Sequence, residues 1–467
     1  MKNTNFKTNR VMLADSYKYT QPKQYPKNTT FIQSFMEARS SKVFKKSVFF
    51  GLQMALMEYF SEPITKEEVA EANDYADRHL GPGIFDREGW DYIVEELDGN
   101  IPVKIRAIPE GTVVPNGNVV LTIESTDEKV AWIVGWMETF LMKIWYPTTV
   151  ATKSYYAREM IMKHLKKSGS PDVIGFKYHN FGDRAATGVE AAVIGGMAHS
   201  VIFDGTDNFQ SLKAAAFYYD AETSGYSIPA SEHSTVTSWG VEGRFDMYDS
   251  HLENFKDSPV IACVMDSYDI YKDVAYVTSG AFKEKVESDG YPVFVIRPDS
   301  GDPIEVLSGI LDVMEKNAVS FFVNKKGYMV FKKYALIWGD GVSLEVIDQI
   351  LDFIESRGYS ADIIAFGSGG DLMQKVNRDT MGFAVKASVI IADGKTVEIF
   401  KDPITDPGKK SRKGYQDLEY SINGFKTVSG DLAKTPSSFS AFKTVFENGE
   451  LKIRYSFEKI RNLTYYN

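Results

Sequence analysis

The sequence predicts an α/β fold in which a (β/α)8-type barrel, residues 174–391, is flanked by a second mixed α/β domain built from both termini, residues 1–173 and 392–467. From about residue 174, short apolar segments alternate with helical stretches about eight times, a pattern typical of a parallel barrel sheet. Polar, glycine-rich turns follow most of these segments. Hairpin signals outside this region indicate antiparallel structure in the flanking domain. A doubly wound open sheet is the alternative architecture.

Composition excludes several classes of protein. The 467 residues are 43% hydrophobic and 25% charged, which is ordinary for a folded globular chain. The net charge of −10 disfavours a nucleic-acid partner, because no net-basic field attracts a polyanion. We find no run of about 18 apolar residues that could span a membrane, and no apolar leader at the N-terminus, so the cytoplasm is the expected location. The single cysteine, Cys263, excludes an intrachain disulfide.

The flanking domain shows local signals for both helices and strands. Residues 102–123 alternate around a Pro-Asn-Gly-Asn turn, which predicts short strands. Ser125 or Thr126 is expected to cap a helix that ends at Pro147, and a second helix is expected over 151–167. Near the C-terminus, Asn423-Gly424 and Asn448-Gly449 each lie between alternating segments and predict two hairpins.

Two helices of the barrel region have clear local signals. Pro303 is expected to begin one helix, and Ser343 is expected to cap the other. The predicted strands of the barrel are apolar segments of four to eight residues, at 174–179, 200–203, 226–229, 260–265, 293–296, 335–338, 363–366 and 384–391.

The turns after the predicted strands concentrate polar and glycine residues. Because the carboxyl ends of barrel strands meet at one mouth, these turns predict a single site. The turns comprise Phe181-Gly182-Asp183-Arg184, Asp204-Gly205-Thr206-Asp207, Ala230-Ser231-Glu232-His233, Asp266-Ser267-Tyr268-Asp269, Arg297-Pro298-Asp299-Ser300-Gly301, Gly339-Asp340-Gly341 and Gly367-Ser368-Gly369-Gly370.

Several of these features have two interpretations. The segment 366–371, Phe-Gly-Ser-Gly-Gly-Asp, is either a phosphate loop at a helix N-terminus or a plain strand-to-helix turn. The basic residues between 378 and 413 either bind a polyanion or form a solvated face. Asp207, Asp299 and Asp340 could take hydroxyls, an amide or Mg²⁺, or could cap helices. His233 is either functional or structural, and His179 could line the site.

Long motifs along the chain carry a resemblance to a known family. The sequence resembles the nicotinamide phosphoribosyltransferases, which are type II phosphoribosyltransferases, over nearly its whole length. The matching motifs are DSYKYTQPKQYP (15–26), FFGLQ (49–53), FGDRAATGVEAA (181–192), GTD (205–207), GYSIPASEHST (225–235), DSYDIY (266–271), RPDSG (297–301), GDG (339–341), IAFGSGGDL (364–372), FKDPITDP (400–407) and YSFEKIRN (455–462).

The resemblance implies an activity, cofactors and partners. Nicotinamide would condense with 5-phosphoribosyl-1-pyrophosphate (PRPP) to give nicotinamide mononucleotide and pyrophosphate in NAD salvage. The reaction would require Mg²⁺, whose ligands the sequence leaves unknown. ATP hydrolysis would improve the equilibrium through a phosphohistidine, without being strictly required. The enzyme would be a homodimer with shared active sites.

The resemblance also implies a role for individual residues. Phe181 and Arg297 would sandwich the pyridine ring, with Tyr17 reaching in from the partner chain, and Asp207 would accept the carboxamide N–H. Asp299 and Asp340 would hold ribose hydroxyls, and His233 would be phosphorylated. The 5′-phosphate would be bound by Gly339, Gly369, Gly370 and Arg378, with Arg184 nearby. Pyrophosphate or ATP phosphates would meet Arg39, Lys386, Lys401 and Lys409.

Asp207 favours nicotinamide over nicotinate as the substrate. Nicotinate would bring a second carboxylate to about 4 Å, a repulsion of roughly 4 kcal/mol at an effective dielectric constant near 20. A nicotinate phosphoribosyltransferase and a non-catalytic barrel that binds ligands are the alternatives. Asp183 departs from the family pattern as seen in the animal enzymes, which carry an aromatic residue there, and it puts the role of Arg184 in question.

Overall fold

The computed structural model describes residues 6–39, 41–405 and 410–465. The helices are α1 Leu52–Phe60, α2 Lys66–Leu80, α3 Arg87–Glu96, α4 Ile133–Met142, α5 Trp145–Ser168, α6 Val189–Ser200, α7 Phe209–Tyr219, α8 His233–Thr237, α9 Gly240–Asn254, α10 Ile270–Val277, α11 Gly280–Glu287, α12 Pro303–Lys316, α13 Leu344–Ser356, α14 Gly370–Gln374 and α15 Phe457–Tyr465. The strands are β1 Thr29–Ala38, β2 Lys46–Val48, β3 Val103–Ala107, β4 Val113–Pro115, β5 Val119–Ser125, β6 Tyr178–Asn180, β7 Val260–Val264, β8 Val293–Arg297, β9 Phe321–Val323, β10 Met329–Phe331, β11 Tyr334–Trp338, β12 Ile364–Ser368, β13 Phe383–Ala392, β14 Lys395–Glu398, β15 Gln416–Ser421, β16 Gly424–Ser429, β17 Lys443–Glu447 and β18 Glu450–Leu451.

The chain divides into two compact units. A terminal unit comprises residues 1–152, 215–221 and 377–467, and a central unit comprises residues 153–214 and 222–376. The boundaries of the central unit therefore lie at 153 and 376, whereas the sequence predicted them at 174 and 391. Within the described residues, none of the helices combines the length and the apolar character needed to cross a bilayer.

The central unit is built on a parallel sheet. Its five strands lie in the order β6-β12-β11-β8-β7, and all neighbouring pairs run parallel. Single parallel bridges then join Asn180 to Thr206, Gly205 to Tyr226 and Ala230 to Ala262. The regular strands thus form a parallel half-barrel, and two short segments, 204–206 and 226–230, connect β6 to β7 through these bridges. The eight full strands of the predicted barrel are not formed.

Four of the predicted barrel strands differ from the structure. Of 174–179, only the end enters β6, because Pro171–Phe176 form a 3-10 helix. Residues 200–203 end helix α6 and turn, and 226–229 contribute only a bridge. The eighth predicted strand, 384–391, lies in β13, which pairs antiparallel with β1 in the terminal unit. A short apolar run signals burial but does not reveal its pairing partner.

The predicted helices of the central unit are confirmed where local signals were strongest. In α12, the Asp302 carboxylate accepts hydrogen bonds from the N–H groups of Ile304 and Glu305, and Pro303 occupies the first turn. In α13, the Ser343 hydroxyl accepts from Val346 N–H at 3.3 Å. Both helices bury one apolar face, formed by Leu307, Ile310, Leu311 and Met314 in α12 and by Ile347, Ile350, Leu351 and Ile354 in α13.

The terminal unit contains a seven-stranded sheet in the order β14-β13-β1-β5-β3-β17-β18. The predicted strands within 102–123 are confirmed as β3, β4 and β5, and both predicted hairpins form, as β15–β16 and β17–β18. Pro147 does not end a helix as predicted. It lies in the first turn of α5, where a missing backbone N–H costs no intrahelical hydrogen bond.

Candidate active site

A pocket of about 880 Å³ opens in the central unit, lined by residues that follow the parallel strands and bridges. The carboxyl ends of parallel strands lie at one edge of the sheet, so distant turns of the chain converge there. Nine of the predicted site residues line this pocket: Phe181, Arg184, Asp207, Arg297, Asp299, Gly339, Asp340, Gly369 and Gly370.

Phe181 and Arg297 face each other in the pocket. The guanidinium carbon of Arg297 lies 5.6 Å from the centre of the Phe181 ring. A pyridine ring between them needs two stacking distances, together about 7 Å, so Arg297 must move outward by about 1–2 Å when a base binds. Within the described part of the chain, Arg297 Nε is buried without a hydrogen-bond partner, while another guanidinium nitrogen donates to Asp299 Oδ2 at 3.1 Å, so an outward movement must keep or exchange that ion pair.

Gly367 determines where the Phe181 ring can lie. A Cβ atom added at Gly367 would overlap three atoms of that ring. The Phe181 backbone N–H also donates to the Ser368 carbonyl at 2.9 Å, which ties the residue to the end of β12. Sequence reasoning placed Gly367 in a strand-end turn but gave it no role. The signal was present, because glycine allows close approach of another group to the backbone.

Asp207 is held by two donors. His179 Nε2 lies 2.9 Å from Asp207 Oδ1, and the Ser227 hydroxyl donates to the same oxygen at 2.5 Å. Burial raises the pKa of Asp207. The pKa is lowered by more than this, by the hydrogen bond and charge of His179, the hydrogen bond from Ser227 and the charge of Arg297. The net pKa lies below the usual range, so the group is a carboxylate at neutral pH. Ser227 carried no signal in the sequence that pointed to this role.

The two carboxylates predicted for ribose lie among glycines. Arg297 donates to Asp299 Oδ2 at 3.1 Å. A Cβ at Gly339 would come within 2.7 Å of Asp299 Oδ1, so a side chain at position 339 would displace that carboxylate. Asp340 is exposed on the pocket wall.

Asp266 connects His233 with the Arg297–Gly301 turn. Asp266 Oδ1 lies 2.9 Å from His233 Nε2, and Asp266 Oδ2 accepts from Asp299 N–H at 3.1 Å and from the Ser300 hydroxyl. The Asp266 side chain is buried, whereas that of His233 is 42% exposed. His233 begins the short helix α8, and its neighbour Glu232 lines the pocket. Asp266 stood in a predicted site turn, although it was given no role.

The glycine loop after β12 leads into helix α14, as predicted. The nearby Asp371 pairs with Lys153 and, at 2.8 Å, with Lys375. Burial raises the pKa of Asp371, but these two lysines lower it further than burial raises it. Arg184 and Asp183 both line the pocket and are exposed, and within the described residues they form no ion pair with each other.

The remaining predicted residues belong to the terminal unit. Lys386 is half-buried on β13. Burial is the largest cause of its lowered pKa. The positive charges of Lys401, Arg39 and Lys18 lower the pKa further, whereas the negative charge of Glu138 raises it. A cluster of cations therefore surrounds Lys386, which favours an anion there. Arg378 pairs with Asp379 at 3.1 Å, and Tyr17 is 57% exposed. Lys409 lies outside the described residues.

The pocket also fits a divalent cation held largely by substrate. Oxygen ligands suit Mg²⁺, which usually keeps several waters and takes one or two carboxylates together with substrate phosphates. The pocket supplies Asp299 and Asp340. Among the residues that the structure describes, the single group spaced to hold a metal directly is His164, Asp352 and Glu355, none of which lines the pocket.

Comparison with known proteins agrees with this arrangement. The sequence model of the nicotinate phosphoribosyltransferase (NAPRTase) family matches residues 176–450, and that of the nicotinamide phosphoribosyltransferase N-terminal domain matches residues 9–105. A nicotinamide phosphoribosyltransferase of Xanthomonas campestris pv. campestris (strain 8004) is 40% identical over 97% of this chain and 97% of its own. One of Acinetobacter baylyi (strain ATCC 33305 / BD413 / ADP1) is 30% identical over 98% of this chain and 97% of its own.

Solved structures show the same fold. The nicotinate-nucleotide pyrophosphorylase from Pyrococcus furiosus is similar with a TM-score of 0.60 and 16% identity, over 99% of this chain and 97% of that one. Human nicotinic acid phosphoribosyltransferase is similar with a TM-score of 0.56 and 13% identity, over 97% and 93%. These likenesses define the fold class. The chain belongs to the nicotinate phosphoribosyltransferase (NAPRTase) family, and it is similar over nearly its whole length to the two bacterial nicotinamide phosphoribosyltransferases described above.

Proposed function

We propose that this protein is a nicotinamide phosphoribosyltransferase, a pentosyltransferase that makes nicotinamide mononucleotide and pyrophosphate from nicotinamide and PRPP. The single observation that carries the choice of base is Asp207, a carboxylate on the pocket wall. A carboxylate accepts hydrogen bonds and cannot donate them, so it receives the N–H of a carboxamide. Nicotinate offers no such donor and adds a second negative charge.

The base would bind between Phe181 and Arg297. The pyridine ring stacks on the Phe181 ring, and the Arg297 guanidinium covers its other face. Asp207 then fixes the rotation of the ring in its plane through the carboxamide. The ring nitrogen is a weak nucleophile, and holding it in line with the sugar carbon is a large part of the catalysis.

The sugar carbon would pass through an oxocarbenium-like state. The ring nitrogen forms a bond to C1 of the ribose while the bond between C1 and the pyrophosphate oxygen breaks, and its electron pair leaves with pyrophosphate. The carboxylates of Asp299 and Asp340 hold ribose hydroxyls and stabilise the positive charge that develops on the sugar. No covalent bond to the enzyme is needed for this displacement.

The phosphates would be held by backbone N–H groups and basic side chains. Gly339, Gly369, Gly370 and Arg184 of the central unit are assigned to the 5′-phosphate, as is Arg378. Arg39, Lys386, Lys401 and Lys409 are assigned to pyrophosphate or ATP phosphates. Asp299 and Asp340 would also hold Mg²⁺ together with substrate phosphates and water, and the chemistry that the ion would supply is positive charge beside the pyrophosphate.

Further features of the proposal rest on the family resemblance alone. ATP would phosphorylate His233 and so couple its hydrolysis to synthesis. The protein would act as a homodimer in the cytoplasm, with Tyr17 of one chain completing the base site of the other. We propose that the parallel half-barrel of this protein corresponds to the barrel of the type II phosphoribosyltransferases.

A paired assay tests the activity. Purified protein, PRPP and Mg²⁺ are mixed with nicotinamide or nicotinate, with and without ATP, and the mononucleotides are quantified by mass spectrometry. We expect nicotinamide mononucleotide to dominate. Asp207→Ala should abolish the amide preference, whereas Asp172→Ala, at an exposed position of the same unit, should keep it. Nicotinate mononucleotide as the main wild-type product would identify a nicotinate enzyme, and no product would favour a binding protein.

A further inference from the structure

Two neighbouring side chains, His179 and Ser227, form hydrogen bonds with Asp207 in the pocket wall. Its Oδ1 atom accepts from Ser227 at 2.5 Å and lies 2.9 Å from His179 Nε2. Within the described chain, no hydrogen bond to Asp207 Oδ2 is formed, so the two donors converge on one oxygen. An oxygen that already accepts two hydrogen bonds is largely saturated, whereas the other oxygen keeps its lone pairs for a ligand.

The backbone around this network is well defined. Asp207 N–H donates to the Asn180 carbonyl at 3.0 Å, and Asn180 N–H donates to the Gly205 carbonyl at 3.0 Å. A Cβ at Gly205 would approach His179 Nδ1 to 2.7 Å, so the imidazole packs against that glycine. The same imidazole contacts the Phe181 ring, with 5.0 Å between ring centres. His179 therefore contacts both Phe181, on whose ring the base would stack, and Asp207, which would accept a hydrogen bond from the carboxamide.

The network also has a chemical consequence for the acid substrate. The His179 N–H and the Ser227 O–H are donors that could bind the carboxylate of nicotinate. In this structure both are directed at Asp207 Oδ1, and of the three residues it is Asp207 that lines the pocket, so the pocket presents an acceptor. Removing either donor frees the Asp207 carboxylate to rotate and leaves the other donor more available to a carboxylate ligand.

We propose that His179 and Ser227 are positioning residues for Asp207, and that the three side chains together determine the choice between an amide and an acid base. This inference rests on the proposed function, since it concerns the base-binding site of the same reaction. It assigns to His179 and Ser227 a role in specificity that does not require either residue to touch the sugar or the phosphates.

Two pairs of variants separate this role from a structural one. His179→Leu removes the donor, whereas His179→Gln keeps an N–H near the position of Nε2. Ser227→Ala removes the hydroxyl, whereas Ser227→Thr keeps it. For each protein, kcat/KM is measured for nicotinamide and for nicotinate, together with KM for PRPP. Ser227 is exposed, so Ser227→Ala should fold even if a variant of His179 does not.

We expect His179→Leu and Ser227→Ala each to lower the nicotinamide-to-nicotinate ratio of kcat/KM roughly tenfold, the effect of a hydrogen bond to a charged group. KM for PRPP should not change, and His179→Gln and Ser227→Thr should restore most of the ratio. In the Asp207→Ala background, nicotinate use should fall when His179→Leu is added, because the freed donor is lost.

The outcomes distinguish the two levels of the proposal. A wild-type protein that makes no mononucleotide, or prefers nicotinate, overturns the proposed function itself. A wild-type protein that prefers nicotinamide, with an unchanged ratio in both donor-removing variants, overturns only the inference about His179 and Ser227. Equal losses for both bases would likewise show a structural role and contradict it.

Discussion

The ring of Phe181 lies directly against the backbone of Gly367, where any side chain would overlap it. We predict that Gly367→Ala displaces this ring and weakens base binding. Overpacking of this kind costs about 1–3 kcal/mol, so KM for nicotinamide should rise roughly tenfold. Steady-state kinetics with varied nicotinamide measure this effect, and thermal unfolding reports the accompanying loss of stability.

Gly188→Ala is the matched control for that substitution. Gly188 has an extended backbone, and a Cβ there would meet nothing within 4 Å. Its KM for nicotinamide should equal that of the wild type. An unchanged KM in Gly367→Ala would show that the position of Phe181 does not matter for the base.

The exposed His233 is predicted to carry the phosphoryl group from ATP. His233→Asn should make the rates with and without ATP equal, and should prevent transfer of the γ-phosphate of labelled ATP to the protein. Autoradiography and initial rates measure the two effects. His79→Asn, at an exposed position of the terminal unit, should retain both ATP stimulation and labelling. Label that persists in His233→Asn would place the phosphoryl group elsewhere.

Lys386 is predicted to bind an anionic group, because cations surround it and burial reduces its hydration. Lys386→Gln should raise KM for PRPP or the inhibition constant of pyrophosphate roughly tenfold, as expected for one charge-assisted contact. Lys395→Gln removes a charge from the exposed neighbouring strand β14 and should have little effect. Similar kinetic constants for the two variants would contradict a direct contact, because Lys386 would then contribute only to the overall electrostatic field of the protein.

Lys177 should give the stability of the protein a distinct pH dependence. Burial lowers its pKa from 10.5 to about 8 in the folded protein, where its ammonium donates to the carbonyls of Asp362 and Ile364. Between pH 8 and 10.5 the unfolded chain therefore binds more protons than the folded protein, and the free energy of unfolding rises with pH.

Comparison with Lys177→Met isolates that contribution. At about 1.4 kcal/mol per unit of pKa difference, the wild type should gain up to about 3 kcal/mol over the variant across this window. Urea unfolding of both proteins at several pH values measures the difference, because all other groups titrate in both. Parallel pH profiles would contradict a lowered pKa of Lys177.

Local signals made part of the fold predictable. Helices α12 and α13 were recognisable because caps and apolar spacing act over a few residues. Residues 200–203 were misread as a strand because three consecutive apolar residues fit the end of a helix equally well. Pro147 was misread because proline is compatible with both the end of one helix and the first turn of the next.

The sequence by itself determined which residue types meet at the pocket, because parallel strands bring the turns that follow them to one edge. Only the tertiary structure decided the partners of those residues. The strand 384–391 joined β1 rather than the parallel sheet, since an apolar run is compatible with any buried neighbour. Asp207 likewise receives its donors from positions 28 and 20 residues away, and such long-range contacts depend on the packing of the whole unit rather than on local spacing.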